Sequence, residues 1–216
     1  MDRPGGGPAI GARLRALRTA AGRSLASVAR EVGISSSALS QIETGAMQPS
    51  VNRLIEIVGV LGAPVAAIFE DYAVLHPVAV DDAESSEVLP GVLVRHPSTT
   101  TPTELGQGVL YRPLAPVGLN GVDLFESIYP PSSSSSVDGA MLVHQGYEIG
   151  SVMSGTLQFE FTEGTVELRA GGALSFWARR PHRIVNASST ETATAIWLTL
   201  RDYEAGDEDG RRSPHS

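Results

Sequence analysis

The chain has 216 residues, 42% apolar and 19% charged, with 23 Gly, 14 Pro and no Cys, which excludes collagen-like and disordered chains, disulfide scaffolds and cysteine nucleophiles. All 16 basic residues are arginine, set against 24 acidic ones for a net charge of −8. Residues 1–70 nevertheless hold seven Arg against five carboxylates, and a mildly basic head on an acidic body suits a small nucleic-acid module joined to something that does not touch phosphate.

The predicted elements begin after a Gly/Pro-rich start. Ile10, Leu14, Leu17 and Ala21 recur at helical spacing and Gly22 stops the run. Ser24 caps a second helix that buries Leu25, Val28, Ala29 and Val32 and ends at Gly33. A third runs from Ser36 to Thr44 over Leu39 and Ile42, and Gly45 ends it. Pro49-Ser50 opens a fourth with Leu54, Ile55, Val58 and Leu61 inside, and Pro64 a fifth through Val65, Ile68 and Phe69. A polar stretch over 81–87 then reads as a linker, after which the period becomes two. Strands are expected at 91–95, 109–114, 122–129, 155–161, 165–169, 173–177 and 193–200, a density that indicates a sandwich or barrel. Pro130-Pro131 followed by Ser132 to Ser136 reads as a solvated loop, and the tail from Ala205 as disordered. No run approaches 18 apolar residues and the first residues lack a signal-peptide core, so no membrane partner and a cytoplasmic location are expected.

Within the helical part, Ala29 and Gly33 are small where one helix turns sharply against the next, and Ile34 and Leu39 are apolar where they plug the joint. This stretch, with Leu39-Ser-Gln-Ile-Glu43-x-Gly45 through Pro49-Ser50, resembles the Cro and lambda repressor type of helix-turn-helix, the XRE family, over Ile10 to Asp71. The resemblance implies double-stranded DNA as partner, with the third helix in the major groove. Ser36, Ser37, Ser40 and Gln41 lie on its polar face, Gln41 being able to pair both amide groups with adenine. Arg23, Ser24 and Thr44, near helix ends, are expected to contact phosphate and fix register. Arg18 and Glu43 are implied to form an ion pair that serves as scaffold.

In the strand part, the run from His144 through Gly146, Glu148 and Gly150 to Gly155 is followed by Gly171, Pro181, His182 and Asn186. This pattern resembles the cupin family over Leu89 to Asp202, with Leu142 standing where the family's first His is usual, and Trp177 and Arg179 where Pro and Gly are usual. The resemblance implies His144, Glu148 and His182 as ligands of one divalent metal (Fe, Zn or Ni) or, failing that, as an empty hydrogen-bonded patch. Tyr111 and Arg112 are expected to join these three against a small-molecule ligand, whereas Arg183 follows His182 and alternates to the opposite face.

The expected fold is α+β in two domains. An all-α five-helix helix-turn-helix domain over 10–72 and a linker over 73–88 precede an all-β cupin barrel, a double-stranded β-helix, over 89–204, with flexible tails at 1–9 and 205–216. That layout implies an effector-responsive transcription regulator, not an enzyme, acting as a homodimer on a palindromic operator. The alternative is a mononuclear non-haem iron cupin oxygenase or epoxidase carrying a helix-turn-helix-like head.

Overall fold

The computed structural model describes residues 7–68, 92, 94, 102–116 and 121–201. The expected linker at 73–88 and the tail from 205 lie outside these residues, as does most of the strand expected at 91–95. Four α-helices build the head: α1 (Gly7–Ala20), α2 (Leu25–Val32), α3 (Ser36–Glu43) and α4 (Val51–Val60). The last three start on serine caps whose hydroxyls accept from the chain three residues on: Ser24 from Ser27 N, Ser35 from Ala38 N and Ser50 from Arg53 N. Gly33 ends α2 in the left-handed region at φ 77°, donating back to the Ala29 and Arg30 carbonyls. The fifth helix is a single 3-10 turn, Val65–Ile68, so the described head holds four α-helices rather than five. Ile10, Leu14, Val28, Leu39, Leu54 and Ile68 form its core. Gly11 lets α1 lie directly on the end of α3, because a Cβ there would collide with the Ile42 and Glu43 carbonyls.

Among the described residues nine strands follow: β1 (Thr103–Glu104), β2 (Leu110–Pro113), β3 (Val122–Tyr129), β4 (Tyr147–Ser154), β5 (Thr156–Phe161), β6 (Gly164–Arg169), β7 (Ala173–Trp177), β8 (His182–Val185) and β9 (Ala193–Leu200). They form a six-stranded sheet in the order β1-β2-β3-β9-β4-β7 and a three-stranded sheet in the order β6-β5-β8, antiparallel throughout. Burial alternates along β3 and β9, so each presents every second residue to the interior. Trp197 fills the centre, its indole N–H donating to Ser127 Oγ at 3.0 Å. Gly150 makes room for it, since a Cβ at that position would come within 2.6 Å of the Trp197 ring.

The serine run is not a solvated loop. Ser133, Ser135 and Ser136 are each 2% exposed. The run lies along β8: Ser135 N donates to the Ile184 carbonyl, Ile184 N donates to Ser135 Oγ, and Asn186 N donates to the Ser133 carbonyl. Small side chains that satisfy their own backbone pack tightly here, and composition alone does not distinguish that from solvation.

The head docks on this body along α4. Asn52, 5% exposed, donates its backbone N–H to the Ser135 carbonyl at 3.0 Å and its amide to the Ala140 carbonyl at 3.2 Å. Gly106 N donates to the Pro49 carbonyl at 2.9 Å, Arg53 Nη2 lies 3.6 Å from Asp138 Oδ2, and Arg201 Nη1 donates to the Ala63 carbonyl at 2.9 Å. Among the described residues no helix is long and apolar enough to cross a membrane.

Candidate functional site

On α3, Leu39, Ile42 and Glu43 face inward, while Ser36, Ser37 and Gln41 are exposed and Ser40 is half-buried. The helix is thus locked by one face and offers hydroxyl and amide groups on the other. The Thr44 hydroxyl donates to the Ser40 and Gln41 carbonyls, so it also caps the helix end. Ser24 is exposed at the start of α2. Arg23 is braced within the head: Nη2 meets Glu31 at 2.5 Å and Nη1 donates to the Val60 carbonyl at 3.3 Å. Arg18 and Glu43 form the expected scaffold pair, at 2.6 Å.

In the body, His144 lies just before β4, Glu148 within it and His182 at the start of β8. β4 and β8 lie in different sheets, and the Leu142–His182 bridge joins the chain ahead of β4 to the start of β8; the ligating atoms of the three residues lie within 4.8 Å of one another. An N–H on Nδ1 of each imidazole donates to a backbone carbonyl: His144 to Gln145 at 2.9 Å, His182 to Arg180 at 2.8 Å. Those bonds fix the rings so that both Nε2 atoms turn toward Glu148, the arrangement a metal-ligating histidine requires. His144 Nε2 is 2.8 Å from Glu148 Oε1 and His182 Nε2 is 3.8 Å from Oε2. The shorter contact is off the direction of a hydrogen bond, which leaves His144 Nε2 a buried nitrogen without an aligned partner. A divalent ion is a fitting partner for it, so the residues present suit a His-His-Glu metal site.

Burial alone would lower the His144 pKa, but contact with the Glu148 carboxylate and its charge outweigh burial and leave it above the ordinary imidazole value. His182 is farther from that carboxylate, so burial dominates and holds it below. Leu142 lies beside His182. It is 2% exposed, it exchanges backbone hydrogen bonds with His182, and it lines a small cavity of about 20 Å³ together with Glu148, His182 and Trp197. A larger cleft of about 870 Å³ opens from His144 and Glu148 to α4 of the head.

Tyr111 and Arg112 line neither cavity. Tyr111 stacks on Phe125 at 4.3 Å in the barrel core, and burial pushes its pKa up. Arg112, next along β2, turns to the other face and pairs with Glu126 at 2.6 Å. Arg183 likewise turns away from His182 and pairs with Glu160. Asn186, fully buried, donates to the Tyr129, Pro130 and Glu191 carbonyls and is a corner brace. Trp177 packs edge-on against Tyr147 with Arg179 over its ring. Sequence reasoning missed the head's share of the large cleft, from Ile55 and Glu56 to Gly59 and Pro64, because no local signal marks a helix side chain that meets a distant barrel.

Two families match: the helix-turn-helix domain over residues 9–68 and the cupin domain over residues 126–199. The chain joins a helix-turn-helix domain to a cupin domain. Among solved structures, a transcriptional regulator of the HTH_3 family from Vibrio cholerae is 23% identical, with 92% of this chain and 97% of that one covered and a TM-score of 0.61. Hydroxypropylphosphonic acid epoxidase from S. wedmorenis in complex with fosfomycin is 18% identical over 89% of this chain and 98% of that one, with a TM-score of 0.41. A cupin superfamily protein from Desulfitobacterium hafniense is 18% identical over 44% of this chain and 80% of that one, with a TM-score of 0.39. No curated protein matches the chain. The first of these likenesses runs through helix-turn-helix head and cupin body alike, and at such identity it speaks to the fold.

Proposed function

We propose that this helix-turn-helix cupin protein is a DNA-binding transcription regulator whose body senses a small molecule, with the head at 10–72, the linker at 73–88 and the body at 89–204. The observation that carries the reading is the outward face of α3, where Ser36, Ser37 and Gln41 are exposed on a helix anchored by Leu39, Ile42 and Glu43. Rigid presentation of amide and hydroxyl groups suits the major groove: Gln41 reads adenine and Ser36, Ser37 and Ser40 discriminate less. Arg23, Ser24 and Thr44 contact phosphate around it. One such head reads few base pairs, so the protein acts as a cytoplasmic homodimer on a two-fold operator.

His144, Glu148 and His182 hold one divalent ion, Fe, Zn or Ni, which when bound supplies a Lewis acid for donor atoms of the effector. Arg53 supports communication with the head. Its Nη1 donates to the Val32 carbonyl at the end of α2 while its Nη2 faces Asp138 of the body, so one guanidinium joins the reading helices to the sensor.

A second reading, iron-dependent oxygenation, is favoured by the two-His-one-Glu set, which leaves coordination positions open. Selection of genomic fragments with purified full-length protein tests the first reading, with a short two-fold element as the expected product. Fragments retained no better than random DNA at physiological salt defeat it. Substrate-dependent oxygen uptake by Fe(II)-loaded protein, lost in His144→Ala, establishes the second.

A further inference from the structure

The cleft of about 870 Å³ is built by both domains, and its volume lies in the range of small-molecule sites, roughly 300–1,000 Å³. The two domains line it differently. The barrel contributes His144, Glu148 and Thr199, whereas the head contributes the apolar Ile55, Gly59, Val60 and Pro64 beside Glu31 and Glu56, and Val143, 53% exposed, adds a further apolar side chain. Three carboxylates in the wall each face an arginine, Glu31 meeting Arg23, Glu56 meeting Arg53 and Asp123 meeting Arg201, and the fourth, Glu148, belongs to the ion site with His144 and His182. The cleft therefore holds no unmatched anion for an organic cation. Gly59 is the one glycine inside α4, where it costs the helix about 1 kcal/mol relative to Ala. Gly59 is exposed in the cleft wall and a Cβ built on it meets nothing within 4 Å, so a larger side chain fits there.

We propose that this cleft is a composite ligand site that takes a small amphipathic carboxylate. The carboxylate lies at the His144 and Glu148 end, against the divalent ion that those two would hold with His182, and the hydrocarbon lies against Ile55, Gly59 and Val143. The inference deepens the sensor reading and rests on it. It makes the DNA-binding head a wall of its own effector site, so an occupant touches α4 directly.

The test uses Ni²⁺-loaded full-length protein, without DNA, and calorimetry with butyrate, hexanoate, octanoate and octylamine. Affinity should rise roughly threefold to fourfold per methylene until the cleft is filled, with octylamine weaker than octanoate. In Gly59→Phe the gain with chain length should disappear, octanoate weakening at least tenfold while butyrate binds as before, and a cooperative melt shows that the variant folds. Hydrogen exchange on the wild type supplies a second reading: octanoate should slow exchange of amides 55–62. Octylamine binding as tightly as octanoate, or no carboxylate binding, overturns the ligand class. Equal octanoate affinity in Gly59→Phe, or unchanged exchange in α4, overturns the head's part in the site. Failure of the regulator reading is seen separately, in the fragment selection.

Discussion

Arg18 grips Glu43 with two parallel hydrogen bonds, Nε to Oε1 at 2.6 Å and Nη2 to Oε2 at 2.9 Å, while its third nitrogen donates to the Arg23 carbonyl. Glu43 is 6% exposed, so the pair ties α1 to the last turn of α3 from inside the head. The hydrogen bond to Glu43 raises the Arg18 pKa further above its already high value, so the guanidinium stays charged. Removing one partner strands the other charge: Glu43→Ala should destabilise the head by about 3 kcal/mol, read from denaturant midpoints. DNA binding should fall with it. Unchanged stability with altered base preference would move Glu43 from scaffold to recognition.

Gln41 is exposed on α3, whose buried residues are Leu39, Ile42 and Glu43. Gln41→Ala should cost about 1–3 kcal/mol against the preferred operator and relax one base position. Arg23→Ala should instead weaken all sequences alike and flatten the salt slope. Competition binding over a set of single-base operator variants separates the two patterns.

Asp138 faces Arg53 across the head–body contact and accepts from Ala140 N and the Ser136 hydroxyl, and these hydrogen bonds hold its carboxyl below the usual carboxylate range. Its folded pKa is the lower one. Its contribution is therefore present above the unfolded value, about 3.9, and is lost as pH falls through the folded value. Asp138→Asn should lose stability less steeply than wild type as pH falls below about 4, in urea midpoints across pH. Parallel curves would show that the carboxylate contributes nothing to acid sensitivity.

Leu142 and His182 are bridged partners whose side chains line the same small cavity. Ni²⁺ or Zn²⁺ should raise the melting temperature of the wild type in a concentration-dependent way, His182→Ala should abolish the shift, and Leu142→His should enlarge it by adding a fourth ligand. A shift that survives His182→Ala would place the ion elsewhere.

Local chemistry made much of this protein legible. Ser24 and Ser50 before apolar runs at helical spacing marked two helix starts, and alternation marked β3 and β9, because caps and periodicity act within a few residues. The motif around His144, Glu148 and His182 identified the metal-ligating types for the same reason. The strand Tyr147–Ser154 was not legible as a strand: Gly150 and Ser151 interrupt its apolar alternation, and its inward face is set by Trp197 forty-seven positions later. Val65–Ile68 was too short to be told from an α-helix, and the serine run packed because β8 passed beside it.

What only the tertiary structure decided is contact over distance. The sequence determined that His144, Glu148 and His182 could ligate a metal, but the closing of two sheets on each other, bridged at Leu142 and His182, brought their ligating atoms within 4.8 Å. It also determined that Asn52 and Arg53 lie on a helix. That they bind Ser135, Ala140 and Asp138, and that α4 thereby walls the cleft, follows from docking two surfaces more than eighty residues apart, for which neither carries a local signature.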